Sequence, residues 1–288
     1  MRAWILVLAG CVLSSARAED YVLENDLVRW TVSADGQSKS LVEKSTGRPW
    51  GQPCPAALVK KAGKWHAASS VTRQGDLWRA VFGDSGVAAD YRIAARPRYF
   101  LVELAEIRGE GIEELCFVRL DAAIQGNYGG WLNVKWNEQF AVAVLGLSDR
   151  VNTFGPPGWA LVYPEFGMKG QKAVLVAAPK AQLLAVIQEV ERDEKLPSPK
   201  IAGRWAKTSS DVRRGYLFTD LTEANADETI RYAKLGEFGY VMTYDGTWSA
   251  SLGSYPINLK NFPKGEESVK AVLDKCHAAG LKVGMHMS

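Results

Sequence analysis

Two patterns of apolar residues divide the chain. From Tyr21 to about Gln188, short runs rich in β-branched and aromatic residues alternate with turn signals such as Asp35-Gly36. Such runs, with no long helical repeat among them, predict an antiparallel β-sandwich domain over residues 19–195. The clearest predicted strands are residues 21–23, 27–32, 77–82, 98–104 and 173–177.

A helix and then a linker are predicted after these strands. Within residues 181–194, Leu184, Ile187 and Val190 recur every three residues, which places them on one face of a helix. The stretch 196–200 holds two prolines, which lack a backbone donor and favour extended geometry in the residue before them. We therefore predict a linker over residues 196–212.

Strand and helix patterns alternate in residues 213–288. Apolar runs at 214–221, 240–244 and 282–287 are separated by helical repeats, which predicts a parallel α/β sheet. Asn225 and Glu228 have the spacing of a capping box, and Gly280 stands where a left-handed helix C-cap is expected. We interpret this part as the first three units of a TIM-type (β/α) barrel. Because three units cannot close a barrel, the chain is expected to be a fragment whose later strands lie beyond Ser288.

The N-terminus predicts export. Met1-Arg2 precedes an apolar stretch at 3–13 and a small-residue cleavage site that ends at Ala18, so residues 1–18 are predicted to be a signal peptide. The apolar stretch is shorter than the roughly 20 residues that a membrane-spanning helix needs. The alternative is a lipoprotein anchored through Cys11, whose surroundings resemble a lipobox. In either case we expect a periplasmic or extracellular protein.

Composition excludes several classes of function. The 35 Lys and Arg residues against 32 Asp and Glu residues leave a formal net charge of +3, which loss of Arg2 and Arg17 with the signal peptide would lower by two. Since no basic stripe or long charge run is present, nucleic acid is not an expected partner. The sequence favours no particular oligomeric state.

The cysteines and histidines indicate neither a metal nor a cofactor. Cys54, Cys116 and Cys276 are widely spaced and match neither a disulfide framework nor a zinc motif. Each is interpreted as a small buried apolar residue, with a Cys54–Cys116 bridge as the alternative in an exported protein. The three histidines lack ligand spacing, and the glycine-rich segment 126–131 lacks the setting of a phosphate loop.

The candidate site residues are those at the carboxyl ends of the predicted parallel strands. In barrels of this kind, the loops at the carboxyl ends of the strands build the active site. The residues in that position are Asp220 and Glu223 after the first strand, Tyr244, Asp245 and Trp248 after the second, and His286 at the end of the third.

Asp245 and Trp248 form the pattern most typical of sugar recognition. A carboxylate accepts hydrogen bonds from paired hydroxyls, and an indole packs on the apolar face of a pyranose ring. The structural alternative is that Asp245-Gly246 is only a turn and Trp248 only packs the loop. Tyr244 lies beside this pair and is assigned to the same substrate site.

The remaining candidates each have a structural alternative. Asp220 is either a ligand-binding acid or a partner of Arg213 or Arg214. His286 is either a partner for a substrate hydroxyl or a hydrogen-bonded strand end, and Glu223 is interpreted as a first-turn helix acid. In the predicted sandwich, a carbohydrate platform and core packing are alternative roles for three tryptophans, Trp131, Trp136 and Trp159.

Two stretches resemble a known group of enzymes. Residues 21–25, 35–36 and 41–47 are similar to the opening of the galactose-mutarotase-like sandwich that precedes the catalytic (β/α)8 barrel in secreted glycoside hydrolases related to α-galactosidases. Residues 239–248, 261–265 and 279–286 are similar to the second and third barrel units of those enzymes. The resemblance implies a carbohydrate substrate.

The resemblance also implies a mechanism. Such enzymes use two carboxylates, a nucleophile and a general acid/base, and retain the anomeric configuration. In the relatives these residues lie on later strands, so the catalytic pair is expected beyond Ser288. Where α-galactosidases carry an Asp pair after strand two, this chain has Tyr244-Asp245, so only Asp245 carries over and an α-galactoside is one candidate substrate among glycosides. The alternatives are a non-catalytic carbohydrate-binding sandwich and a domain that assembles through its β edges.

Overall fold

The computed structural model describes residues 20–130, 133–154 and 156–287. The predicted signal peptide, Cys11 and Trp131 lie outside the described residues. The chain divides into two compact units, Met1–Pro197 and Ser198–Ser288, which we call the β unit and the α/β unit. None of the helices in the described parts of the chain is long and apolar enough to cross a membrane.

The β unit consists mostly of short strands. In chain order they are β1 Tyr21–Glu24, β2 Val28–Val32, β3 Gln37–Glu43, β4 Gly51–Gln52, β5 Cys54–Pro55, β6 Leu58–Lys61, β7 Lys64–Ala67, β8 Ser70–Gln74, β9 Leu77–Val81, β10 Ala88–Ala95, β11 Tyr99–Arg108, β12 Ile112–Arg119, β13 Asp121–Ala122, β14 Asn127–Gly129, β15 Val134–Trp136, β16 Phe140–Gly146, β17 Trp159–Val162 and β18 Lys172–Pro179. One α-helix, α1 Leu183–Asp193, and two 3₁₀ turns, Pro164–Phe166 and Lys180–Gln182, complete the described elements of this unit.

The β strands form three larger sheets and one short pair. Their orders are β1-β2-β3-β5, β14-β15-β16-β18-β11-β10-β9-β8, β17-β12-β6-β7 and β13-β4. A single core cluster takes residues from each larger sheet: Trp30 from the first, Trp78 and Phe100 from the second, and Leu115 and Phe117 from the third. The strand-rich, antiparallel character predicted for this unit is therefore confirmed, while its arrangement as a β-sandwich stays a prediction.

The helix α1 differs in detail from its prediction. Its buried residues include Val186, Ile187 and Val190, and it packs on β18, whereas Leu184 is 39% exposed. Leu184 precedes Val186 by two residues, which is roughly 200° around a helix at about 100° per residue. The assignment of Leu184 to the inner face was wrong, because Val186 and Val190, four residues apart, define that face.

The cysteines of the described chain are free and buried. The alternative of a Cys54–Cys116 bridge is therefore not found in the structure. Burial raises the pKa of Cys54 to about 11 and also raises the pKa of Cys116. Both thiols are thus held in the neutral form, which is the behaviour expected of small buried apolar residues.

The α/β unit begins with a small hairpin. Its strands β19 Lys200–Ile201 and β20 Arg204–Trp205 are followed by 3₁₀ turns at Ala206–Thr208 and Ser210–Arg213. Apart from Arg213, these elements lie in the interval 196–212, which the sequence assigned to a linker. The remaining elements alternate as β21 Tyr216–Thr219, α2 Ala226–Leu235, β22 Tyr240–Thr243, α3 Asp245–Trp248, α4 Glu266–Ala278 and β23 Lys282–Met285.

Three strands of the α/β unit form a parallel sheet, in the order β21-β22-β23. The helices cover one face, where Val241, Ala226 and Val272 share a buried cluster. At the end of α4, Gly280 has φ +77°, the N–H of Leu281 donates to Cys276 O and the N–H of Gly280 donates to His277 O. This is a Schellman motif, so the predicted glycine C-cap is confirmed.

The predicted capping box at α2 was wrong. Asn225 is the N-cap residue, but its side chain does not cap the helix. Its Oδ1 instead accepts from Thr222 N at 2.8 Å, and its Nδ2 donates to Asp220 O at 2.7 Å. Asn225 therefore fixes the loop after β21. Glu223 precedes this N-cap, so it is not a first-turn acid; Asp227 and Glu228 occupy the first turn.

Asp90 makes the stability of the β unit depend on pH. Asp90 is 2% exposed, and its carboxylate accepts hydrogen bonds from Arg79 Nε at 2.7 Å and Arg79 Nη2 at 3.0 Å. Arg108 Nη1 lies 2.8 Å from Asp90 Oδ2. The hydrogen bonds from Arg79, together with Arg108, outweigh the effect of burial and hold the pKa of Asp90 below its ordinary value of 3.8. The unfolded chain therefore takes up the proton first, and stability is lost as the pH falls below that value toward the folded-state pKa.

The substitution Asp90→Asn tests this linkage. We expect it to lower the free energy of unfolding at pH 7 and to make the loss of stability below pH 4 shallower, because one linked proton is removed. Urea unfolding at several pH values measures both effects. The control is Asp149→Asn at an exposed aspartate, which should keep the wild-type free energy of unfolding at pH 7. A steeper acid slope in Asp90→Asn would contradict the assignment.

Candidate functional site

The three parallel strands have one face that the described helices of the α/β unit do not cover. Side chains alternate along each strand, so Leu217, Val241 and Val283, which are paired in register, point toward the helices. The opposite face carries Phe218 and Tyr216, which are 36% and 59% exposed. The face away from the helices is therefore aromatic and accessible.

A glycine on β23 leaves room for the side chain of Met242. Gly284 is paired in register with Met242. A Cβ at position 284 would lie 2.1 Å from Met242 Sδ. The methionine side chain thus crosses over β23 on the uncovered face, and any larger residue at 284 would displace it.

The parallel register aligns three of the predicted site residues. Thr219, Thr243 and Met285 are paired across the sheet, so the residues that follow them, Asp220, Tyr244 and His286, leave the strands at the same edge. All three residues are exposed. The structure therefore brings these candidates to the carboxyl ends of the strands.

Phe218 contacts two of these residues, Tyr244 and His286, and was not predicted from the sequence as a site residue. Its ring stacks on Tyr244 with centroids 4.1 Å apart and an interplanar angle of 22°, and its centroid lies 5.4 Å from that of His286. Phe218 was interpreted only as part of an apolar run. Its position two residues before Asp220, on the same face of the strand, is the signal that could have identified it.

Asp220 is held by neighbouring loop residues. The hydroxyl of Thr247 donates to its carboxylate, and Asn225 holds its carbonyl. Next to it, Leu221 N donates to the buried Thr243 hydroxyl at 3.2 Å. Arg214, proposed above as an alternative partner of Asp220, lies 3.6 Å from Asp211 instead. Thr247 is a second residue that the sequence analysis did not select.

Asp245 begins the short helix α3. Its Oδ1 accepts from Gly246 N at 2.7 Å, and its carbonyl accepts from Ser249 N at 2.8 Å. The side chain is half-buried. Asp245 and Gly246 thus lie in a helical turn, and the role of Asp245 in substrate binding stays a prediction.

Trp248 is buried beside the end of β23. It is 8% exposed, its Nε1 donates to His286 O at 2.9 Å, and Tyr255 stacks on it with centroids 5.7 Å apart. The hydrogen bond ties the loop after β22 to the end of β23. Its stacking on a sugar ring stays a prediction, while its packing within the loop is observed.

Two asparagines in the loop before α4 support α3. Asn261 Nδ2 donates to Thr247 O at 2.8 Å, and Asn258 Nδ2 donates to Gly246 O at 3.2 Å. Carbonyls that a four-residue helix leaves without partners are satisfied in this way. The segment that follows Asp245 is therefore positioned by side chains from a loop more than ten residues away.

The two candidate tryptophans of the β unit that the structure describes, Trp136 and Trp159, are partly packed. Trp136 packs against the cluster between α1 and β18, and Trp159 packs against Leu58, Cys116 and Leu161. Both side chains are half-buried. Packing is thus observed for each of them, whereas a carbohydrate platform stays a prediction.

The groups at the sheet edge suit a hydroxylated ligand. Carboxylates at 220 and 245 accept hydrogen bonds, and the Tyr244 hydroxyl and the His286 imidazole can donate or accept. The rings of Phe218 and Tyr244 offer apolar faces. Within residues 20–130, 133–154 and 156–287, no group of three His, Cys, Asp or Glu side chains could hold a metal ion.

Comparison with solved structures relates the fold to glycoside hydrolases. The α-N-acetylgalactosaminidase NagBb from Bifidobacterium bifidum, solved with GalNAc, is 15% identical and matches with a TM-score of 0.50 over 93% of this chain and 58% of that one. An α-galactosidase from Lactobacillus brevis is 10% identical, with a TM-score of 0.40 over 95% of this chain and 55% of that one. The chain thus spans little more than half the length of each structure.

These likenesses concern the fold alone. No protein-family model matches the chain, and no curated protein matches it. The match to the N-acetylgalactosaminidase extends over nearly the whole chain. A fold like part of a glycosidase is therefore shown, without any assignment of catalytic residues.

Proposed function

We propose that this chain is part of an exported glycoside hydrolase, in which the β unit is a sandwich and the α/β unit begins a (β/α)8 barrel. The observation that carries the proposal is the row of Asp220, Tyr244 and His286 at the carboxyl ends of three parallel strands. In barrels with parallel strands, that edge is where active sites are built. The fold likeness to the N-acetylgalactosaminidase supports it.

The site residues would divide substrate recognition among them. Asp245 and Asp220 would accept hydrogen bonds from sugar hydroxyls, and His286 would contact a further hydroxyl. The stacked rings of Tyr244 and Phe218 would pack on the apolar face of the sugar. Sugars require this combination of acceptors and an apolar surface.

Trp248 and Thr247 would act as positioning residues. Trp248 holds the backbone of His286, and Thr247 holds the carboxylate of Asp220. Both belong to α3, so one helical turn would fix two of the recognition groups. Such fixed geometry lowers the entropic cost of binding the substrate.

Catalysis in this proposal requires two further carboxylates. In a retaining mechanism, one attacks the anomeric carbon to form a glycosyl-enzyme, and the other protonates the leaving oxygen and then activates water. The two groups lie about 5 Å apart across the scissile bond. We propose that strands encoded after Ser288 supply them, and that residues 1–18 direct export, with acylation of Cys11 as the alternative route.

Stereochemistry tests this proposal. A longer chain that includes the open frame after Ser288 is incubated with aryl α-galactoside, α-N-acetylgalactosaminide and α-glucoside, and the first-formed sugar is followed by ¹H NMR. We expect one of these substrates to release the α-anomer before mutarotation. Release of the β-anomer, or hydrolysis of none of them, would reject the retaining α-glycosidase.

A carbohydrate-binding role for the β unit is the second candidate function. It is favoured by a polar cavity beside Trp159 within that unit. Binding by this cavity would not require the α/β unit or hydrolysis. The two candidate functions are therefore separable by experiment.

A further inference from the structure

A cavity of about 340 Å³ opens within the β unit. The end of β12 and the pair β4–β13 line one side, where Arg119, Asp121 and Gln52 lie; β15 contributes Lys135. The ring of Trp159 adds an apolar wall. Ligand sites are commonly concave, with volumes of about 300 to 1,000 Å³ and a few polar groups among apolar walls.

A buried asparagine fixes the back of the cavity. Asn133 is 2% exposed; its Nδ2 donates to Trp159 O at 2.9 Å and to Val144 O at 3.1 Å, and its Oδ1 accepts from Gly158 N at 2.9 Å. Gly158 has φ +81°, and a Cβ there would lie 1.9 Å from Leu120 O. The turns that contain Asn133 and Gly158 are therefore tied to the neighbouring strands by buried hydrogen bonds and close packing.

The arginine in the cavity is held in place. Arg119 Nη2 donates to Asp121 Oδ2 at 2.9 Å, and its guanidinium carbon lies 5.0 Å from the centroid of the Trp159 ring. Its buried Nε has no hydrogen-bond partner among the described residues. Leaving a buried donor without a partner is unfavourable, so the ion pair and the ring contact must offset this cost.

The ammonium group of Lys135, which also lines the cavity, has no carboxylate partner among the described residues. The Lys135 side chain is half-buried, and Nζ donates to the carbonyl of Ala122 at 2.9 Å. Because Arg119 neutralises Asp121, the lining as a whole carries one unpaired positive charge, which favours an anionic ligand.

We propose that this cavity binds a sugar that carries a carboxylate, such as a uronic acid. Lys135 pairs with the carboxylate, while Gln52 and the free oxygen of Asp121 bind hydroxyls. Trp159 and the neighbouring prolines at 156 and 157 pack on the carbon side of the ring. The volume suits a ligand of one sugar ring, and the site is independent of the proposed hydrolytic reaction.

Ligand titration of the 288-residue chain by NMR tests the proposal, with galacturonate, galactose and acetate as probes. We expect galacturonate to bind at least tenfold more tightly than galactose, since a charge-assisted hydrogen bond is added. Acetate should bind at least tenfold more weakly than galacturonate, because it lacks hydroxyls and a ring. Equal binding of galactose and galacturonate, equal binding of acetate, or no binding of galacturonate would overturn the proposal.

Variants separate the charge of Lys135 from its structural contact. Lys135→Met should weaken galacturonate binding at least tenfold, whereas Lys135→Arg should retain most of it, and circular dichroism checks the fold of both. Lys64→Met, at an exposed position on β7, is the matched control and should bind like the wild type. Asp245→Asn should also leave galacturonate binding unchanged, which separates this site from the proposed glycosidase site. Wild-type binding by Lys135→Met would overturn the role of its charge.

Discussion

Replacement of Trp50 by alanine is expected to destabilise the β unit by about 3–5 kcal/mol. Trp50 is 2% exposed and stacks on Phe140, with centroids 4.8 Å apart and an angle of 6°. Its Nε1 donates to Glu43 Oε2 at 3.1 Å. The substitution therefore leaves a large cavity and also removes a hydrogen bond from a buried carboxylate.

The lost hydrogen bond has its own consequence. Burial raises the pKa of Glu43, but hydrogen bonds from Thr46, Trp50 and Ser45 outweigh it and hold the pKa below its ordinary value. Without Trp50, one of these donors is lost, so the pKa of Glu43 should rise. The destabilisation therefore combines a packing loss with a weaker preference for the charged carboxylate.

Urea unfolding at pH 7 measures this effect, and Trp65→Ala is the matched control. Trp65 is 40% exposed on β7, where its ring makes an edge contact with Trp159. The control should lower the free energy of unfolding by about 1 kcal/mol or less. Similar losses in the two variants would show that Trp50 is not a central part of the core.

Replacement of Asp245 by asparagine is expected to lower kcat/KM about 10- to 100-fold in the proposed full-length glycoside hydrolase. A hydrogen bond to a charged group contributes about 1.5–3 kcal/mol, and a tenfold change corresponds to about 1.4 kcal/mol. The asparagine oxygen can still accept from Gly246 N, as Asp245 Oδ1 does at 2.7 Å. The loss should therefore concern the substrate and not the fold.

Initial rates on an aryl glycoside measure this loss, with Asp274→Asn as the control. Asp274 is exposed on α4 and pairs with Lys270 at 2.8 Å. The control should keep wild-type kcat/KM, and both variants should keep the wild-type melting temperature within a few degrees. Wild-type activity in Asp245→Asn would remove Asp245 from the substrate site.

The sequence predicted features that depend on local patterns. The alternation of apolar runs identified β21, β22 and β23, and Gly280 identified the end of α4, because helix C-caps need a residue that tolerates positive φ. The position of Asp220, Tyr244 and His286 at strand ends followed from the same pattern. These predictions needed no knowledge of distant contacts.

Features that depend on distant contacts were not predictable. The order of the eight-stranded sheet places β11 beside β18, which lies more than sixty residues later in the chain. Asn225 was predicted to cap α2, yet the carbonyl of Asp220 and the N–H of Thr222 compete for its side chain. The ring contacts of Phe218 likewise arise only when three strands are in register. In each case contacts between residues far apart in the sequence determine the structure that forms.

The most direct measurement compares hydrolysis of an aryl α-glycoside by two chains, the 288-residue chain and a chain extended by the strands that we propose to follow Ser288. Both should have the β unit and the three parallel strands. We expect no turnover by the 288-residue chain and clear turnover by the extended chain, because the catalytic carboxylates would be added. Turnover by the 288-residue chain, or none by either, would contradict the proposal that this chain is the front part of a glycoside hydrolase.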